Sequence, residues 1–286
     1  MKRLLLIVAV SYGGAAVAQP KLITQATITT TTNIIAPEEE DVSSIQGQGG
    51  DGRMNFRNFG DGETKSVTYL KNDLVKTVMK SDMGRSTIIR DNDKKITTTL
   101  IEMMGNKTGF YSTDQDAADM RKRMDSMMQA TRNGADTGRR RNARPADAAA
   151  PEIVYTEEAK KIAGYNCKKA YIIHTRLLGN KDSAAIWYTS DFKLKNIAST
   201  GGLSGFSSLM GNSNSNPYEK IDGFVMAYES KMPRGRLMQV EVTKVDLAKE
   251  IADKEFDIPK DFDVKPMKEM QNMMQGGGQG RIMIRN

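Results

Sequence analysis

The chain has 286 residues, a formal charge of +7, one cysteine, one histidine and one tryptophan. A single cysteine excludes an internal disulfide, so stability has to come from a packed core, and the length allows one large domain or two small ones. The basic excess is too slight for a nucleic-acid footprint, and 6% aromatics beside 19 methionines predict an aliphatic, partly thioether-filled core.

The first 18 residues read as an export signal. Lys2 and Arg3 form a basic start, Leu4 to Val10 an apolar run, and Ala16-Val17-Ala18 a small-x-small cleavage site, with Gln19 as the expected mature N-terminus. The expected location is periplasmic or secreted. No cysteine follows the cleavage site to take a lipid, and no later apolar run reaches the ~20 residues of a transmembrane helix.

Leu22 to Ile35 is rich in threonine and isoleucine, whose β-branched side chains suit a strand. Pro37 and an acidic run end it, and residues 42–64, dense in glycine, predict a long loop. That loop lacks the Gly-Lys-Ser/Thr ending and the strand-loop-helix frame of a phosphate loop. From Lys65 to Tyr111 the pattern predicts a β-meander: Ser66–Leu70, Leu74–Lys80, Ser86–Arg90, Lys95–Glu102 and Lys107–Tyr111. Turn residues separate these strands, and spacing this short implies antiparallel neighbours. Asp91, Asp93 and Glu102 mimic positions of a calcium loop. Lys95 and Ile96 stand where a ligand and a glycine belong, so a hairpin is expected.

Residues 114–131 switch to a helical period, with Met120, Met124 and Met127 on one face, Met128 beside it, and Asp114 and Asp116 at the positive end of the dipole. Residues 133–151, with Arg139, Arg140, Arg141 and Arg144 among Ala, Gly and Pro, read as a disordered linker. Thr156 to Lys161 is charged and predicts a short helical or turn segment stopped by Gly164. Strands are expected at Cys167–Thr175 and Ala184–Thr189, a loop over 199–217, and a last hairpin from Gly223–Ser230 and Arg236–Val245. Phe256-Asp257-Ile258-Pro259 closes the domain as an extended segment, and residues 266–286 form a Met- and Gly-rich tail.

The string Ile162-Ala163-Gly164-Tyr165-Asn166-Cys167-Lys168-Lys169-Ala170 resembles the I-x-G-Y-x-C-K-K signature of an exported bacterial family of unknown function. Trp187 to Phe192 and Phe256 to Pro259 resemble further family segments. That family is grouped with the outer-membrane lipoprotein carriers of the Lol type, and the resemblance covers Lys65 to Pro259. It implies an α+β, mainly antiparallel fold: a strongly curved open half-barrel with a few helices on its concave face. The domain would run over residues 19–265. The resemblance implies no enzyme activity, no catalytic residue and no cofactor. Gly164, Tyr165, Cys167, Trp187 and Tyr188 carry it as structural positions.

The residues themselves argue the same way. Cys167 and His174 lie seven apart on one expected strand, so alternation sends them to opposite faces and removes a Cys-His nucleophile pair. Gly202-Leu203-Ser204-Gly205 is not a nucleophile elbow, because Phe206 occupies the place of the second glycine. Methionine clusters at 120–128 and 267–274 raise soft-metal binding, such as Cu(I), as one alternative. The same spacing suits an apolar stripe, so no metal site is expected. The expectation is a non-enzymatic binding protein of the cell envelope for a lipid or lipoprotein. Met120, Met124, Met127 and Met128 would form its lid. The alternative is an envelope interaction protein whose sheet is filled by its own side chains.

Overall fold

The computed structural model describes residues 19–35, 62–81, 84–133, 151–175, 181–195, 217–231 and 235–269. The expected signal segment, most of the Gly-rich loop, most of the Arg-rich linker, all but the last residue of the 199–217 loop and the tail beyond residue 269 lie outside these described residues.

A short strand β1 (Lys21–Ile23) and a long strand β2 (Gln25–Ile35) come first. The meander follows as β3 (Gly62–Lys71), β4 (Leu74–Ser81), β5 (Gly84–Asp91), β6 (Ile96–Met103) and β7 (Asn106–Thr113), and it leads into helix α1 (Asp114–Asn133). The second half contains β8 (Glu152–Ile162), β9 (Tyr165–Thr175), β10 (Lys181–Thr189), β11 (Phe192–Leu194), β12 (Phe224–Lys231) and β13 (Leu237–Asp246). A 3-10 turn at Asp253–Phe256 precedes β14 (Asp263–Pro266). One 12-stranded sheet runs in the order β14-β7-β6-β5-β4-β3-β2-β13-β12-β10-β9-β8, and β1 pairs with β11 in a separate parallel ribbon. All pairings in the large sheet are antiparallel except β14 with β7. The protein is mainly antiparallel β with few helices, and the expected meander and final hairpin are present.

Two expectations are overturned. Thr156 to Lys161 is not helical but the second half of β8, where Ala159, Lys160 and Lys161 pair with Lys168, Cys167 and Asn166. A register shift between Tyr155 and Ala159 lodges the charged residues in a bulge at the sheet edge. Charges and a bulge are how an edge strand avoids pairing with another chain, so the polarity marks an edge rather than a helix. Phe256 likewise ends a 3-10 turn instead of beginning an extended segment.

Between β2 and β7 the register is unbroken, which fixes the two faces. Ile28, Thr68, Thr77, Ile88, Thr99 and Phe110 lie in one cross-strand row, and Thr30, Ser66, Met79, Ser86 and Ile101 in the next on the same face. Val67, Val78, Thr87, Leu100 and Gly109 line the opposite face.

The opposite face is strapped by the segment after β13. Lys71 donates to the Ile251 carbonyl at 2.8 Å and to Asp253 at 2.6 Å. Lys76 donates to the Glu255 carbonyl at 2.5 Å and to its carboxylate at 2.9 Å. Lys107 pairs with Asp261 at 2.5 Å, and β14 then docks along β7. A Cβ at Gly109 would stand 2.8 Å from Leu100 and 2.9 Å from Val264, so the strap closes on the sheet there because residue 109 has no side chain.

At the other end, β8 and β13 are four steps apart in the strand order, roughly 19 Å in a flat sheet. Their Cα atoms nevertheless come within 8 Å, and Lys160 stands 4.0 Å from Glu241. The core inside this end joins Ile162 and Cys167 to Phe192, Phe224, Met226, Val242, Ile28 and Leu70. A second core packs Ala170, Ile172, Ile186, Tyr188, Ile221, Val225, Tyr228 and Val240.

Candidate functional site

The signature segment is a hairpin corner. Ile162 pairs with Tyr165, so Ala163-Gly164 is a two-residue turn, and both residues have positive φ, 48° and 88°. That is the twist a tight hairpin requires, and it is the reason for a glycine at 164. Tyr165 meets Phe192 edge-on at 5.2 Å, and Phe192 stacks on Phe224 at 5.2 Å. Cys167 is fully buried beside them, and burial pushes its thiol up to about 11. A thiol held neutral is a core hydrophobe, not a nucleophile. His174 lies on the same strand, opposite Asp182 of β10.

Trp187 sits under two lysines, Lys160 at 4.5 Å and Lys169 at 5.7 Å from its ring centre. Lys169 also reaches Glu158 at 3.0 Å and lies 5.1 Å from the Tyr171 ring. Each lysine has a carboxylate within reach, so the cluster is a charge-balanced clasp across β8, β9 and β10. Tyr188 packs edge-on against Tyr155 at 5.7 Å. Tyr218 and Tyr228 meet at 5.7 Å, with burial raising the hydroxyl of Tyr218 to about 12 and that of Tyr228 further still. Neither Tyr218 nor Tyr228 is poised to act as a base. Among the described residues no group of three His, Cys, Asp or Glu side chains could hold a metal.

The second place where side chains converge is the threonine-bearing face of β2–β6. Thr30, Ser66, Thr68, Thr77 and Thr99 are buried there among Ile28, Leu70 and Ile88. Thr68 and Thr77 share a hydrogen bond at 3.1 Å, whereas the buried Thr30 hydroxyl has no partner among the described residues.

Helix α1 is tied to this same face. Arg90 lies in the row of Leu70 and Val75. It donates to both carboxylate oxygens of Asp114, at 2.6 and 2.9 Å, and to Thr97 at 3.2 Å. Thr113 caps the helix. Its hydroxyl accepts from the Asp116 amide at 3.1 Å, and its own amide donates to Asp116 at 2.9 Å. The guanidinium holds the Asp114 carboxyl below its ordinary range. Lys268, 2.6 Å away, together with Thr113, holds Asp116 lower still.

Of the expected lid, Met120 is in α1 and is 38% exposed. Met124, Met127 and Met128 lie on the same helix, but their side chains fall outside the described residues. The sequence reading missed Arg90 and Thr113. Thr113-Asp114-Gln115-Asp116 has the reciprocal capping-box spacing, a signal that was there to find.

A family model described as a domain of unknown function, DUF4412, matches residues 141–262. No curated protein matches the chain. Two structures of PNGF-II, in space groups C2 and P21, align over 88% and 90% of this chain at 14% and 16% identity, with TM-scores of 0.38 and 0.35. The alignment spans about a third of each PNGF-II chain, 33% and 34%. A domain provisionally assigned as an outer membrane lipoprotein-sorting protein from Vibrio parahaemolyticus aligns with 82% of this chain and 89% of its own, at 6% identity and a TM-score of 0.18. Likeness at this level carries no conclusion about activity, so the function has to be read from the chain's own residues.

Proposed function

We propose that the protein is a non-enzymatic, exported binding protein of the cell envelope. It would take up a lipid or lipid-modified partner on the threonine-bearing face of β2–β7, with α1 as the lid. The observation that carries this reading is the Arg90–Asp114 fork, which tethers the start of α1 to the same face as Thr68, Thr77, Ile88 and Thr99. The opposite face already has its cover, the strap from Ile251 to Pro266. Approach of β8 to β13 supports a sheet curled into a half-barrel, with α1 on its concave side. Acyl chains would bind through area removed from water, worth about 0.8 kcal/mol per CH₂.

A filled sheet is the competing reading, and one observation favours it. The Tyr165–Phe192–Phe224 stack, together with Ile23 and Leu194 of the β1–β11 ribbon, occupies the β8–β13 end of the curl. That leaves the face from Thr30 of β2 across β3 to β7 for a ligand. Native mass spectrometry of protein purified gently from the envelope distinguishes the two readings. A co-purifying mass of several hundred daltons that is lost on mild activation supports the carrier. A bare chain that also fails to take up a fluorescent fatty acid rejects it.

A further inference from the structure

Buried hydroxyls almost always have hydrogen-bond partners, because leaving one unpaired sacrifices its hydration without return. Thr30 is 1% exposed, yet among the described residues its hydroxyl has no partner. It does not stand alone. Ser66, directly opposite on β3, is 6% exposed, and the next row on the same face holds Thr68 and Thr77, at 2% and 6%. Those two satisfy each other. Thr30 is left as the open end of a hydroxyl ladder, flanked across the strands by Val242 and by Ile28 in the adjacent row.

We propose that Thr30, with Ser66 beside it, is a head-group subsite that hydrogen-bonds the carbonyl of an acyl ester, amide or protonated acid, while the chain lies along Met79, Ile88 and Ile101. This rests on the carrier reading and adds to it a specific polar contact. A neutral donor of this kind suits an acyl carbonyl. Among the described residues on these two rows no charged side chain is present for a phosphate or a cationic head group. Thr30 is closed to solvent, so a ligand reaches it by displacing the side chains above it.

The test uses the full chain, Thr30→Val, and two fluorescent probes: the methyl ester of cis-parinaric acid, which has a neutral ester carbonyl, and diphenylhexatriene, which has no polar atom. Valine keeps the shape and removes only the hydroxyl. The subsite predicts that the parinaric ester binds roughly five-fold more weakly to the variant, the worth of one neutral hydrogen bond, with diphenylhexatriene unchanged. The melting temperature should hold or rise, because an orphan hydroxyl is gone. Displacement of the parinaric ester by a monoacylglycerol points to free lipid as the source of the carbonyl, and displacement by an N-palmitoyl peptide points to an acylated protein. Both outcomes require that wild type discriminate where Thr30→Val does not. An equal effect on both probes, or no effect on either, overturns the subsite and leaves the carrier reading standing. Wild type that binds neither probe overturns both. A lower melting temperature with unchanged probe affinities assigns the hydroxyl to a structural water and also overturns the subsite.

Discussion

At the scale of single residues, the signature segment is explained by backbone and burial. Gly164 has φ 88° with open space around its missing Cβ, so substitution there costs conformational strain and no clash. Gly164→Ala should lose about 1 kcal/mol in urea unfolding, the penalty of a side chain in the left-handed region. Ala163, at φ 48°, carries such a penalty already. Ala163→Asn should therefore stabilise by about 0.5 kcal/mol, because asparagine tolerates that conformation better. A destabilised Ala163→Asn variant would show that the turn is not the two-residue hairpin described. Cys167 makes a second residue-scale prediction. Fully buried and with its thiol raised to about 11, it should resist iodoacetamide at pH 8 in the folded protein and react at once in denaturant. Rapid labelling of native protein would contradict its burial.

At the scale of elements, α1 depends on its first turn. The capping box of Thr113 with Asp116 and the fork of Arg90 on Asp114 are separate devices at one helix start. Thr113→Ala should cost about 1 kcal/mol, the usual loss for a threonine cap. Arg90→Ala should cost helix protection rather than core stability, since Arg90 ties the helix to the sheet and leaves Ile88 and Leu100 in place. Hydrogen exchange resolves the two. In Arg90→Ala, amides of 114–123 should exchange faster while those of β4 and β6 keep their protection. Uniform loss across the sheet would deny α1 its separate tether. Helix α1 was legible in the sequence because its period and acidic start are local. The meander was legible because Asn72-Asp73 and Gly105 mark its turns within a few residues. Strand β8 was not. Glu157, Glu158, Lys160 and Lys161 suit an exposed helix as well as an edge strand, and only pairing with β9 separates the two. The threonine rows were also hidden, because Thr30, Ser66 and Thr77 become neighbours through register across three strands, which no stretch of sequence contains.

At the scale of the whole molecule, carboxylates pin the helix and the strap to the sheet, and several share one electrostatic character. Asp114 beside Arg90, Asp116 beside Lys268 and Asp261 beside Lys107 are all held below the ordinary carboxyl value of 3.8. Lys268 follows β14, so its pair with Asp116 joins the end of the strap to the first turn of α1 across the sheet edge. A carboxyl whose folded pKa lies below its unfolded one adds stability that is fully present above about pH 4. That stability is lost as pH falls through the folded value, because the unfolded chain takes up protons first. Acid should therefore release the helix start and the strap together, before the core of Phe192, Phe224 and Leu70, which contains no carboxyl group. Between pH 5 and pH 2, hydrogen exchange (corrected for the intrinsic pH dependence of amides) should rise at 114–123 and 251–266 while β9 and β12 stay protected. Asp114→Asn, Asp116→Asn and Asp261→Asn should each flatten that rise at its own end, since a neutral side chain has no proton to gain. Equal loosening of β9 in the same window would place the acid-sensitive groups in the core and deny the helix and strap their common electrostatic latch.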